Sequence, residues 1–271
     1  MKILSKVLTL LLLVTASTTW AQTTEGPKAK TKKLKGTFYF TWGYHRDQYT
    51  HSTIHFKDRT TDNYDFTFHH ASAVDRPDWS HFFHTALTVP QYVANLGYFF
   101  NDRNDLGIEV SWDHLKYIVR DNQRMHLTGM IRERYYDKDT LVTPDFVHYE
   151  HTNGNNYLMV SLVKRQTLIA SATTKQKLNA IFKVGLGVTD PKTESNIMGG
   201  LNDGPFRISG MVFGASVGLR YDLFKYFYLE SSVKGAFVDY TDVKLINDGR
   251  ANQVFGSVQY IMAAGINVPL N

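Results

Sequence analysis

The feature that most constrains this chain is alternation with a period of two. Between Gly36 and Leu270, apolar and polar residues exchange places along one segment after another. Successive side chains of a strand point to opposite faces, so the pattern belongs to β-strands and not to helices. In 37–45, Phe38, Phe40, Trp42 and Tyr44 take one face, and Thr37, Tyr39, Thr41 and His45 the other. In 106–113, Leu106, Ile108, Val110 and Trp112 oppose Gly107, Glu109, Ser111 and Asp113. The same reading holds for 91–99, 158–165, 178–188, 211–221, 229–237 and 254–268.

That gives eight strands, joined by connections of two kinds. Short turns fall at 101–104, at 169–176 and around Asp222. Longer stretches occupy about 46–88, 120–156, 189–205 and 241–251. An even strand number with short and long connections in alternation predicts an all-β fold. It is an antiparallel transmembrane β-barrel of about eight strands with long extracellular loops or hairpin extensions. In 46–88, Tyr64, Phe66 and Phe68 alternate with Asp65, Thr67 and His69, which predicts a hairpin arm. In 120–156, Met125 to Tyr136 and Phe146 to Tyr149 read as strands separated by Asp137-Lys138-Asp139.

The first residues set the compartment. Met1, Lys2 and Lys6 form a basic region, Val7 to Val14 an apolar one, and Thr19-Trp20-Ala21 a cleavage site with small residues at its key positions. Residues 1–21 thus read as a signal peptide, 22–35 as a basic periplasmic leader and 36–271 as an outer-membrane barrel domain. The expected localisation is the outer membrane. Of the net charge of +5, residues 1–21 hold +2 and 22–35 hold +4, which leaves −1 for the rest. Export makes a nucleic-acid partner implausible for the basic leader. It reads as a solvated segment or a contact to anionic envelope groups. The aromatic fraction of 14% suits the interfacial girdles of a barrel. No segment after the leader approaches the roughly 18 apolar residues of a spanning helix. With no Cys there is no disulfide, thiolate nucleophile or Cys-ligated metal.

The inward face carries Glu109, Asp113, Arg165, Lys183, Arg220, Glu230 and Lys234. Buried charges must pair. An eight-stranded barrel has an interior about as wide as its own side chains. These seven residues are therefore expected to form a polar plug and not a conducting pore.

Chemistry is harder to place. All eleven His lie between His45 and His151, most of them expected in or beside the first two long loops. His81 with His84, and His148 with His151, are not spaced to share a strand face, so no metal set is assigned and no cofactor is expected. The run Glu150-His151-Thr152-Asn153-Gly154 is similar to the His-x-Ser-Asn stretch of outer-membrane phospholipase A and of lipid A deacylases. It departs at the nucleophile: Thr152 directly follows His151 and faces the other way, whereas a His–Ser pair two apart shares a face. Asn153-Gly154 reads as a tight turn. His151, Glu150, Asp113 and His114 remain as candidates for a rim active site, with His114 and Glu150 placed to meet across neighbouring strands.

The motifs Gly36-Thr37-Phe38, Val89-Pro90-Gln91-Tyr92, Asp113-His114-x-Lys116-Tyr117 and Glu150-His151-Thr152-Asn153-Gly154 carry a wider likeness. On them, the chain resembles an uncharacterised family of outer-membrane β-barrel proteins from Bacteroidota-type Gram-negative bacteria. The resemblance implies a barrel and a location, with no activity to carry over. The expected function is a small barrel with a plugged polar interior and a structural or surface-binding role. Its expected partners are outer-membrane lipid, lipopolysaccharide and an envelope protein, and not nucleic acid. A lipid-modifying acyl hydrolase and a narrow channel are the competing readings.

Overall fold

The computed structural model describes residues 36–77, 87–88, 90–100 and 105–270. The signal peptide, the basic leader, His81, His84 and the turn at 101–104 lie outside the described residues. Among those described, every regular element is a strand: β1 (Thr37–Tyr49), β2 (Ser52–Asp58), β3 (Tyr64–Ala71), β4 (Ala73–Val74), β5 (Tyr92–Phe99), β6 (Leu106–Val119), β7 (Gln123–Ile131), β8 (Arg134–Val142), β9 (Val147–Ala170), β10 (Lys177–Pro191), β11 (Glu194–Ile197), β12 (Gly200–Asp203), β13 (Gly210–Asp222), β14 (Phe227–Lys244) and β15 (Arg250–Pro269).

Eight of them close into an antiparallel ring in the order β1-β5-β6-β9-β10-β13-β14-β15. The ring is sealed by β1 against β15, from Thr37 opposite Pro269 to Tyr49 opposite Ser257. The all-β barrel and its strand number are as the alternation predicts. So are the faces. Phe38, Phe40, Leu96, Val160, Leu162, Phe182, Val217 and Leu219 point outward and are exposed, while their sequence neighbours are buried or partly buried.

The connections sort by end. Residues 171–176 and 223–226 make short turns at one mouth of the barrel. At the other, the chain builds a second structure. The upper part of β15, Arg250 to Val254, pairs with β2, and the sheet runs on through β3, β7 and β8. Across the mouth, β11 pairs with Val147 to Glu150 of β9, and β4 with the end of β6. The arm at 46–88 is thus a hairpin, β2 with β3, as expected. We call the whole the cap.

The cap has its own core. On the inner face Phe56 stacks on Phe66 at 5.2 Å between ring centroids, and Phe68 meets both edge-on at 5.9 and 5.3 Å. Tyr149 meets Phe56 edge-on at 5.5 Å, and Leu127, Ile131 and Val147 pack into the same cluster.

Three expectations need correction. Asp137-Lys138-Asp139 does not separate two strands; it lies within β8, and the turn is Arg132-Glu133, both with positive φ (45° and 57°). Two-residue hairpins need that backbone and usually take Asn-Gly, so neither residue announced it. Asn153-Gly154 is not a turn either. It lies inside β9, where the pairing with β6 slips between Leu115 and Tyr117 and Gly154 takes φ +146°, which marks a bulge. The stretch 189–205 holds the hairpin β11–β12, too short to leave a pattern.

Candidate functional site

The lumen nearest the short turns is charged. Lys183 Nζ lies 2.9 Å from Glu109 and 3.2 Å from Glu230. Arg220 donates to Glu230 through Nε at 2.8 Å, and its guanidinium sits between the rings of Tyr39 and Tyr228, 4.7 and 4.0 Å from their centroids. Those two tyrosines cross over glycines of the adjacent strands. A Cβ at Gly97 would meet the Tyr39 ring at 2.1 Å, and one at Gly265 the Tyr228 ring at 2.3 Å. Tyr39 Oη donates to Glu109 at 2.9 Å. Lys234 pairs with Asp113. Arg165 stands apart, bound to Asp105 at 2.5 Å. The space left among Glu109, Asp113, Lys183 and Lys234 is about 30 Å³, room for water and not for a conduit.

Above this cluster the lumen turns aromatic. Tyr117, Tyr157, Tyr240 and Phe255 are buried across it, with Tyr117 and Phe255 rings 4.7 Å apart. His151 joins this layer, 5.3 Å from Tyr240. A polar plug alone was expected; the structure adds an apolar one, because the residues that continue the inward faces of β6, β14 and β15 are Leu115, Tyr117, Val238, Tyr240 and Phe255.

The four rim candidates do not converge. His151 points inward and is fully buried, its Nδ1 3.1 Å from Thr193 Oγ1. Burial pushes its pKa down to about 3, which makes it a weak proton acceptor. Glu150 points the opposite way, accepts from Thr152 Oγ1 at 2.6 Å and faces His148 at 3.5 Å. Asp113 is inside the lumen. His114 is on the outer face, stacked on Tyr92 at 5.0 Å and bonded to Asn156 at 2.8 Å. His114 lies opposite Asn156 and Glu150 opposite Ile118, so the expected meeting of His114 with Glu150 does not occur. His148 and His151, expected in the second long loop, are in β9, and His45, on the inward face of β1 as expected, is buried against Asp47 at 3.0 Å. Among the described residues no three His, Asp or Glu side chains are arranged to hold a metal ion.

The cap offers a different kind of site. β8 ends the sheet and, among the described residues, pairs only with β7. Its register sets Arg134 opposite Ile131, Tyr136 opposite Gly129 and Lys138 opposite Leu127. Ile131 and Leu127 are core residues, so Arg134, Tyr136 and Lys138 occupy the cap's inner face. Arg134 and Lys138 each stand 5.3 Å from the Tyr136 ring centroid. They form one wall of a groove of about 580 Å³. Its floor is Leu127, Ile131, Phe146 and Met198, and Arg132 and Asp145 also reach it. The outer face of the same strand carries Tyr135, Asp137 and Asp139. Asp137 and Asp139 bind His126 at 3.1 and 2.9 Å. The signal for this wall was in the sequence, as Arg134-x-Tyr136-x-Lys138, but the misplaced turn hid it.

No family model matches the chain, and no curated protein does. Among solved structures it is similar to Ail, the attachment invasion locus protein of Yersinia pestis, at 12% identity over 86% of this chain and 99% of that one, with a TM-score of 0.32. It is similar to Neisserial surface protein A at 11% identity over 86% and 97%, with a TM-score of 0.30. It is also similar to the outer membrane protein OprG from Pseudomonas aeruginosa, at 10% identity over 87% and 96%, with a TM-score of 0.35. At these values the likeness carries no argument about function, and the fold rests on the strand ring itself.

Proposed function

We propose that this chain is an outer-membrane barrel with a closed lumen that binds a ligand at the cell surface through the groove of its cap. One observation carries the reading: the polarity of the sheet inverts along its strands. In β6 the outward residues Leu106, Ile108, Val110 and Trp112 are exposed and apolar, while Glu109 and Asp113 are buried within. Further along, the inward residues are Leu115 and Tyr117, both fully buried. In β9 the outward Leu158, Val160 and Leu162 give way beyond the bulge to the half-buried His148 and to Glu150 and Thr152, bonded to each other, and the outward ends of β14 and β15 carry the exposed Thr241, Lys244 and Asn252. A wall that is apolar outside faces lipid, and one that is polar outside faces water. The outward run from Met211 to Tyr221 matches the roughly 9–11 residues that a tilted spanning strand needs. Aromatic residues mark both borders. Trp42 stacks on Tyr92 at 4.8 Å on the cap side. Phe38, Tyr98, Phe224 and Tyr226 lie towards the short turns.

On this reading residues 1–21 deliver the chain, 22–35 lie in the periplasm, lipid and lipopolysaccharide surround the wall, and the cap stands outside the cell. The packed lumen and the divergence of His151, Glu150, Asp113 and His114 leave the groove as the surface best suited to a partner. The full chain in lipid nanodiscs should run faster unheated than boiled on a detergent gel. It should also bind at least one of two labelled probes, a short acidic peptide or a sulfated oligosaccharide, and lose it on joint Arg134→Glu and Lys138→Glu substitution. Binding of neither probe by the wild-type chain defeats the surface-binding reading.

A further inference from the structure

The edge of β8 shows what kind of ligand the groove would take; this step rests on the surface-binding reading above. The strand is nine residues long and carries its charges in strict alternation, Arg134 and Lys138 inside, Asp137 and Asp139 outside. Its net charge is zero. A diffuse polyanion spanning both faces would meet as much repulsion as attraction. A ligand that reads the faces separately would meet only attraction on one of them. An extended peptide does so, because its own side chains alternate with the same period when it lies against a strand.

The edge supplies the remaining element. On its side away from β7, β8 has no strand partner among the described residues, and an unpaired strand edge is a template for one more strand. The position is also a gap in the cap. Phe146 and Met198 line the groove with Arg134, Tyr136 and Lys138, so a strand added to β8 would enter the groove beside its basic wall.

A second copy of this chain fits less well. A two-fold antiparallel pairing of β8 with itself keeps the faces matched. In the registers centred on Tyr136, Asp137 and Lys138, it sets Arg134 against Lys138, Asp137 against Asp137, or Lys138 against Lys138. Like charges directly opposite one another are destabilising. The edge is charged against self-association and open to a complementary partner.

We infer that β8 receives an extended segment of another polypeptide by strand addition, with carboxylates at every second position facing Arg134 and Lys138. The test uses the full chain in nanodiscs and fluorescein-labelled peptides read by anisotropy. One peptide alternates Thr and Glu; a second has the same composition with its Glu residues in one block. Two more are the alternating peptide N-methylated at odd or at even positions. The alternating peptide should bind at least tenfold tighter than the block. One N-methylated phase should lose at least tenfold and the other stay within about threefold, since only alternate amides of an added strand face its neighbour. Joint Arg134→Glu and Lys138→Glu substitution, with the heat-shifted band retained, should transfer preference to a Thr-Lys peptide. Equal binding of alternating and block peptides, equal effects of the two methylated phases, or sulfated oligosaccharide binding tighter than every peptide would overturn strand addition and leave a plain anion site. If no anionic probe binds at all, the surface-binding reading falls with it.

Discussion

The barrel and the cap are one continuous sheet built on opposite plans. In the barrel, Leu96 is 58% exposed and Leu162 55%, while Arg220 is fully buried. In the cap, Phe56 and Phe66 are fully or almost fully buried, while Arg124, Asp137 and Asp139 are exposed. The alternation is the same in both; only the chemistry assigned to each face is exchanged. Strands β6, β9, β14 and β15 cross the border, so the backbone cannot be what changes there. On the membrane reading proposed above, it is the solvent that changes. Lipid cannot hydrogen-bond, so the barrel turns its apolar side chains outward and pairs its charges within. Water can, so the cap folds around a core like any soluble β domain.

The comparison predicts that the two regions fail differently. The largest effect should come from Lys183→Met, which leaves Glu109 and Glu230 without their shared cation. Removing one partner of a buried ion cluster costs about 3–5 kcal/mol. Urea titration of folding into lipid vesicles should show it, and an unchanged midpoint would mean that the cluster contributes nothing to the fold.

Phe66→Ala should cost a similar order, about 3–5 kcal/mol for a buried aromatic, but only in the cap. Limited proteolysis should then cut between β2 and β8 while the heat-shifted barrel band persists. Loss of that band would show that cap and barrel are one cooperative unit.

Val217→Lys, outward in mid-wall, should disfavour insertion by about 2–4 kcal/mol. The inward neighbour Ser216 lies between Lys183 and Lys234 on the flanking strands. Ser216→Glu should therefore be tolerated better than Ser216→Lys, which would place a third cation in the row. Vesicle folding yields of the three variants give the order, and equal yields for Val217→Lys and Ser216→Glu would break the assignment of faces.

The smallest effect concerns pH. His148 lies 2.8 Å from Asp121 and 3.5 Å from Glu150. The bond to Glu150, with Asp121 beside it, raises its pKa from 6.5 to about 9 against partial burial. A group whose folded pKa is raised stabilises fully below its unfolded value and loses that contribution as pH rises through the folded one. Amide exchange around 147–150 should therefore quicken, beyond its intrinsic pH dependence, between pH 6.5 and about 9. In His148→Gln this excess should vanish, and its persistence would remove His148 as the cause.

What the sequence by itself determined was local and periodic. A period of two needs no distant information, so the eight wall strands, their outward Leu, Val and Phe, and the inward set Glu109, Asp113, Lys183, Arg220, Glu230 and Lys234 were all legible. The β2–β3 hairpin was legible for the same reason. Tertiary structure decided what depends on register and closure. Lys183 serves Glu109 and Glu230, which come from β6 and β14, because ring closure sets which residues meet across the lumen. His114 misses Glu150 because the register that starts with Leu106 opposite Lys164 sets it against Asn156, while Glu150 falls opposite Ile118. The turn at Arg132-Glu133 is held by pairing on both sides and not by its own residue types, and only once it is placed does β8 emerge as an edge with a basic inner face. Side-chain alternation is a property of one strand; partners, bulges and edges are properties of two strands or more.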